Sequence, residues 1–275
     1  MKTLKFIVLI LIFVLCAGTI VGCSPGAPAA NLKIDPDFDQ FASAQPGEEI
    51  AVISVKDYGD ITIRLFPQYA PNAVENFKYL ANESYYDGSP FHRVMKDFMV
   101  QSGRPAGEDA VEKTKWGEDA SFEVERNDNL HHYTGALSVA RKSSSAFMED
   151  GSNPDEARIR SLKEGQGSEF FIVQASKDNI ESYSRQGIFA NYESSIEGNY
   201  AINYAFSQEV KDKYKEVGGA AALDMGYTVF GQVMTGMDIV DKIANVETKL
   251  NDVGDERSVP KKDIIIESVK ITPMS

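Results

Sequence analysis

Tyr86-Asp87-Gly88-Ser89-Pro90-Phe91-His92-Arg93-Val94, followed by Asp97-Phe98-Met99-Val100-Gln101-Ser102-Gly103, is the stretch on which the reading of this chain turns. It sets one guanidinium, Arg93, and one amide, Gln101, on either side of the apolar pair Phe98-Met99. Phe98–Ser102 reads as a short strand. Taken alone, an Arg in strand-rich surroundings is a solvated or ion-paired surface group, and Phe98 and Met99 are ordinary core residues. The rest of the chain decides between that reading and a binding site.

Upstream, Ile50-Ala51-Val52-Ile53-Ser54-Val55 is strand-like, Asp57-Tyr58-Gly59-Asp60 supplies turn residues, and Ile61, Ile63 and Leu65 alternate with Thr62 and Arg64. That pattern predicts an antiparallel hairpin. Pro71 suits the first position of a helix, and Val74, Phe77 and Leu80-Ala81 recur at helical spacing through Asn72 to Asn82. Downstream, short strands are expected at Ser121–Val124, Ala136–Ala140, Phe170–Gln174, Thr228–Val233 and Ile264–Ile271. A second amphipathic helix fits Gly236 to Val246. Many short strands with turn signals and only two core helices predict a mainly β fold, a closed antiparallel eight-stranded barrel. Strands do not alternate regularly with helices, which argues against a doubly wound sheet. Two polar insertions, at about 142–167 and 176–222, interrupt the pattern. The second carries a predicted helix over Gln208 to Val217, closed by Gly218-Gly219.

Six segments in order carry a resemblance to the cyclophilins. The Phe91-His92-Arg93 and Phe98-Met99-Val100-Gln101-Ser102-Gly103 segments resemble the family signature. They are joined by Phe66-Pro67 with Ala70-Pro71-x-x-Val74-x-Asn76-Phe77, Gly135–Arg141, Gly167–Ile172 and Tyr227–Val233. The resemblance spans Ala51 to about Ile271 and implies a cyclophilin-type peptidyl-prolyl cis-trans isomerase acting without a cofactor or metal. It implies Arg93, Gln101 and Phe98 as catalytic residues. Contact with substrate would come from Phe91, Met99, Ala140, Arg141, Glu169, Phe171, Leu223 and Tyr227.

The chemistry suits those residue types. An X–Pro bond prefers trans by only ~0.5–1 kcal/mol yet isomerises over tens to hundreds of seconds, because amide resonance imposes a barrier of ~18–20 kcal/mol. No nucleophile or titrating base is required. A catalyst holds the ring, grips the flanking backbone and stabilises the twisted amide. Arg93 is permanently charged and offers donors in a rigid fork, one of which can reach a prolyl nitrogen that accepts only after conjugation is lost. Phe98, Met99 and Phe171 would hold the ring, Gln101 would bond the substrate carbonyl, and the backbone of Ala140 and Arg141 would align the peptide as an added strand.

Three positions depart from the family. Glu169 stands where a neutral Gln normally supports the catalytic Arg; it could pair with Arg93 and orient it, or draw its charge from the substrate. Tyr227 stands in place of His. Ala222 replaces the Trp before the Leu-Asp turn, a loss that should weaken cyclosporin binding. His131 and His132, if in a strand, would point to opposite faces and make a poor shared metal site.

The N-terminus has its own pattern. Lys2 and Lys5 precede an almost unbroken apolar run, Phe6 to Ile20, which ends at Ile20-Val21-Gly22-Cys23. This is a secretory-signal pattern, and the run is shorter than the ~20 residues needed to span a bilayer. The last four residues resemble the bacterial lipobox. They imply a signal peptide over 1–22, diacylation of Cys23, a flexible tether over 23–48 and a folded domain over 49–275; an uncleaved anchor and ordinary secretion are the alternatives. Cys16 and Cys23 are the only cysteines, so the expected mature domain has no disulfide. Net charge is −13 over 275 residues, which argues against nucleic-acid binding. The expected protein is a monomer at the extracytoplasmic face of the cell membrane, acting on proline-containing unfolded or exported polypeptides. A catalytically weak peptide-binding or chaperone lipoprotein on the same fold is the second reading. A solute-binding lipoprotein is a third, but it requires two α/β lobes.

Overall fold

The computed structural model describes residues 35–105, 107, 111–118, 120–148, 153–178, 192–194, 202–204, 206–224 and 226–275. The expected signal peptide, Cys23, the first part of the expected tether and residues 179–191, 195–201 and 205 of the second insertion lie outside the described residues.

In chain order the elements are β1 (Glu49–Val55), β2 (Gly59–Leu65), α1 (Pro71–Asn82), β3 (Arg93–Met95), β4 (Phe98–Ser102), β5 (Lys113–Thr114), β6 (Gly117–Glu118) and β7 (Ala136–Arg141). They continue with α2 (Pro154–Glu164), β8 (Gln166–Gln174), β9 (Tyr192–Ser194), β10 (Ile202–Tyr204), α3 (Gln208–Val217), β11 (Val229–Thr235), α4 (Met237–Ala244), β12 (Thr248–Leu250), β13 (Arg257–Pro260) and β14 (Ile266–Pro273). Among the described residues no helix is long and apolar enough to cross a membrane.

Eight strands form one curled sheet in the order β14-β1-β2-β11-β7-β8-β4-β3. The alternation of Ile61, Ile63 and Leu65 puts all three inside, and β1 pairs with β2 in the expected hairpin, Ile53 opposite Ile61. α1 starts with Pro at N1; its second and third backbone N–H groups, of Asn72 and Ala73, donate to the Glu125 carboxylate at 3.0 and 2.9 Å. An anion there offsets the positive end of the helix dipole. Val74, Phe77 and Leu80 face the core, where Phe77 meets Tyr86, Phe170 and Phe230 with ring centroids 5.2–5.5 Å apart. A buried aromatic of this kind contributes about 3–5 kcal/mol, judged by the cost of truncation. α4 buries Ile239, Val240, Ile243 and Ala244.

The sheet is an open, strongly curled half-barrel and not the closed barrel expected. The edge strands β3 and β14 form no ladder; an isolated bridge joins Pro90 to Ile265. Nearby, Phe91 N donates to Ile264 O and Gly88 N to Ile266 O, both at 2.8 Å. Pro90 has no N–H to extend a ladder, and Gly88 turns the chain at φ +82°.

Two further expectations change. Ser121–Val124 is not a strand, and only Phe122 bridges to Gln166. Residues 35–48, expected to belong to a flexible tether, pack as a strap on the domain. Phe38 meets Phe66 and Tyr69 edge-on, Gln40 is buried, and the Arg64 guanidinium grips Glu48 and the carbonyls of Asp39 and Ala42. The Pro-, Ala- and Gly-rich composition concealed the anchoring power of single Phe and Gln side chains.

Candidate active site

The deciding stretch folds into the β3–β4 hairpin, which reverses at Lys96-Asp97 with Asp97 at φ +59°. Its register sets Arg93 directly opposite Gln101 and Met95 opposite Met99. Cross-strand partners share a face of the sheet, so the guanidinium and the amide emerge together. β4 then pairs with β8, Gln101 opposite Phe171. Gly103 lets β4 end against β8: at φ +89°, any Cβ would lie 2.6 Å from Ser168 O.

A cavity of about 200 Å³ opens here, lined by Arg93, Phe98, Met99, Gln101, Ala140, Arg141, Phe171, Leu223 and Tyr227. Nine of the residues expected from the sequence thus meet in one pocket. Phe91 does not join them: it is 1% exposed and packs inside the sheet with Val94 and Ile264. Phe91 precedes β3, whereas Arg93 is the first residue of that strand and lines the cavity opposite Gln101.

Glu169 also lies behind the wall. Its carboxylate accepts from Gln101 Nε2 at 2.7 Å and from Arg104 Nε at 3.1 Å. His92 Nε2 stands 3.3 Å away, an ion-pair distance without the alignment of a hydrogen bond. Burial alone would push this carboxyl up; the contacts of His92, Arg104 and Gln101 outweigh burial and bring it down to about 2. Glu169 therefore orients Gln101, and the expected pairing with Arg93 is not found.

Arg93 has a different acid. Its Nε and Nη2 donate to the two oxygens of Glu256, each at 2.7 Å, while Nη1 faces Gln101 Oε1 at 3.3 Å. The hydrogen bonds from Arg93 hold the Glu256 carboxyl at about 2, and the same pairing raises the Arg93 pKa. Glu256 ends the loop between β12 and β13. There Asn251 Oδ1 accepts from the N–H groups of Gly254, Asp255 and Glu256 at 2.8–3.3 Å. Sequence reading missed this hairpin. Its signal was the turn-rich run Asn251-Asp252-Val253-Gly254-Asp255, which is of the kind that joins paired strands.

Behind the other wall lies a second acidic centre. Asp224 accepts from His131 Nδ1 (2.8 Å), from His132 N (2.8 Å) and Nδ1 (2.7 Å), and from the Tyr214 hydroxyl (2.8 Å). The two histidines precede β7 and are not in a strand, so both rings turn to one carboxylate, contrary to the opposite-face expectation. Burial would raise the Asp224 pKa, but His131 and His132 hold it well below the carboxylate range. The His132 ring stacks on Phe171 at 6.0 Å and 14° and meets Tyr227 edge-on at 6.3 Å. Two pocket-lining rings thus rest on this cluster.

The chain's likeness to known proteins agrees with the site. The sequence model of the family described as "Cyclophilin type peptidyl-prolyl cis-trans isomerase/CLD" matches residues 50–271. A Staphylococcus aureus protein named "Putative peptidyl-prolyl cis-trans isomerase" is 33% identical over 225 residues, 81% of this chain and 92% of its own length. A Streptococcus pyogenes protein named "Putative bifunctional phosphatase/peptidyl-prolyl cis-trans isomerase" is 36% identical over 217 residues, 78% of this chain. The chain spans only 37% of that longer relative. Among solved structures, a Cryptosporidium parvum cyclophilin-type isomerase crystallised in the presence of the dipeptide Ala-Pro superposes with a TM-score of 0.52. It has 20% identity and covers 82% of this chain and 99% of its own; that likeness concerns the fold. The chain belongs to the cyclophilin-type peptidyl-prolyl cis-trans isomerase family.

Proposed function

With that membership as premise, we propose that the chain accelerates cis–trans isomerisation of X–Pro bonds in exported polypeptides at the membrane surface, without covalent chemistry. The observation that carries the reading is the division of labour on Arg93: Glu256 holds one edge of the guanidinium and leaves Nη1 beside Gln101 on the cavity. A donor fixed in advance costs no reorganisation when the amide twists. The proline ring sits against Phe98, Met99 and Phe171, and Gln101, steadied by Glu169, bonds the substrate carbonyl. As the C–N bond rotates, the nitrogen lone pair localises and accepts from Nη1, which favours the twisted state over either planar one. The dipeptide in the parasite cyclophilin supports a proline-containing substrate.

The Phe6–Ile20 run and the Ile20–Cys23 motif support export and anchoring through acylated Cys23. Two acyl chains are enough for stable attachment. Cys23→Ala is expected to move the protein out of the membrane fraction of cells and to remove the lipid mass; a variant that stays membrane-bound contradicts the anchor.

The deciding experiment is a proline-peptide isomerisation assay with Arg93→Ala. Removal of a preorganised donor is expected to lower kcat by ~10²–10³-fold, and an unaltered rate sinks the mechanism. The second reading, a peptide receptor with little turnover, draws on the same ion pair, since two guanidinium donors are already engaged. Turnover that rises in Glu256→Gln favours it.

A further inference from the structure

The pocket wall carries two guanidinium groups, and only one is neutralised. Arg93 has Glu256. Arg141, at the end of β7, makes one hydrogen bond, from Nη1 to Ser161 Oγ at 2.6 Å, and lies over the Tyr227 ring at 5.0 Å. Its Nε is buried without an acceptor. Among the described residues no carboxylate pairs with it; Glu112 is taken by the neighbouring Lys142 at 3.3 Å. Nearby, burial lowers the Arg126 pKa, the Glu123 carboxylate raises it and the Arg141 charge lowers it. On a chain of net charge −13, the Arg141 guanidinium is a local positive spot on the cavity wall.

A guanidinium with spare donors and no counter-ion is matched to a carboxylate, and meeting one costs Arg141 no existing ion pair. Its distance from Arg93 limits where that carboxylate sits. In the sheet, β8 and β4 separate β7 from β3, so the two backbones are about 14 Å apart at ~4.8 Å per strand. The two long side chains close most of that gap. What remains is the span of one or two extended residues at ~3.4 Å each.

We propose that Arg141 is a specificity-determining residue that biases the pocket toward X–Pro segments with Asp or Glu in one of the two positions before proline. The proposal rests on the reading of this pocket as the proline site. The substrate class is acidic peptides, taken by an acidic protein.

The test compares peptides on one protein. The full-length chain in detergent is titrated with Ala-Glu-Pro-Phe against Ala-Gln-Pro-Phe, and with Glu-Ala-Pro-Phe against Gln-Ala-Pro-Phe. Binding and turnover are both followed by NMR. One of the acidic peptides is expected to bind about five- to tenfold tighter than its amide partner, with the ratio shrinking as salt is raised. Arg141→Gln should bring the ratio to one, Arg141→Lys should keep part of it, and Arg141→Glu should invert it in favour of a Lys-containing peptide. A ratio of one in the parent overturns the proposal, as does an undiminished ratio in Arg141→Gln. Acidic preference in binding with no turnover of any peptide upholds it and overturns the isomerase reading instead.

Discussion

Two acidic clusters flank the pocket, and they are built on opposite plans. At the rim, Glu256 and Glu169 are about a quarter exposed, and each holds a side chain of the cavity wall, Arg93 and Gln101. At the base, Asp224 is sealed, with His131, His132 and Tyr214 all within 5% exposure. It is not among the residues lining the pocket but supports the rings of Phe171 and Tyr227 through His132. The rim acids fix polar groups on the cavity wall, while the base acid holds apolar surfaces in place. The same carboxylate chemistry thus serves geometry where water can screen it and stability where water cannot.

The comparison breaks most easily at the base. Asp224→Ala leaves two imidazoles and a phenol facing an empty, buried site, and removing one partner from a buried charged network costs about 3–5 kcal/mol. Denaturant titration should register that loss; a change under 1 kcal/mol would put the cluster on a par with the rim.

Acid sharpens the contrast by titrating both clusters at once. Asp224 and Glu169 have folded pKa values below their unfolded ones. The unfolded chain therefore takes up protons first, and stability falls as pH falls. For Glu169 the loss runs from the unfolded value near 4.5 down to about 2. For Asp224 it begins below about 3.8 and continues further into acid. Each group contributes at most ~1.4 kcal/mol per pH unit. Glu169→Gln should flatten the upper part of this limb and leave the lower part, as measured by urea midpoints at successive pH values.

Glu256→Gln is the mildest change. A partly exposed ion pair contributes ~0–1 kcal/mol to stability, so thermal midpoints should barely move. kcat is expected to fall about tenfold with little change in KM, because Arg93 loses its aim but not its charge. Since Glu256 titrates at about 2, this arm of the rate profile should be flat from pH 5 to 8. A drop in thermal stability larger than the drop in kcat would make Glu256 a structural residue.

What the sequence made legible was local. The β1–β2 hairpin and α1 follow from alternation and helical spacing, and Gln208–Val217 is a helix over the residues expected. The pocket residues were legible because they cluster in a few short segments of recognisable spacing. The partners were not. Arg93 and Glu256 are 163 residues apart, and His131 and Asp224 are 93 apart; no periodicity encodes such a meeting. Glu169 offered itself as an acid for Arg93 because it stands where the family's Gln supports the catalytic Arg, yet β4 lies between their strands and its Gln101 takes the carboxylate. Phe38 and Gln40 were hidden for another reason: one aromatic and one amide in a polar stretch leave no pattern, although Gln40 exchanges hydrogen bonds with the backbone of His131.

That last contact has a mechanical meaning. A chain held at its N-terminal end receives any pull there first, and the strap meets the pull before β1 does. Phe38 in its aromatic slot, Gln40 on His131 and the Arg64 grip on Asp39, Ala42 and Glu48 act together like the clamp that relieves a cable of strain at its plug. If Cys23 is acylated as proposed, a pull on that anchor would load these contacts before the ladder between β1 and β14.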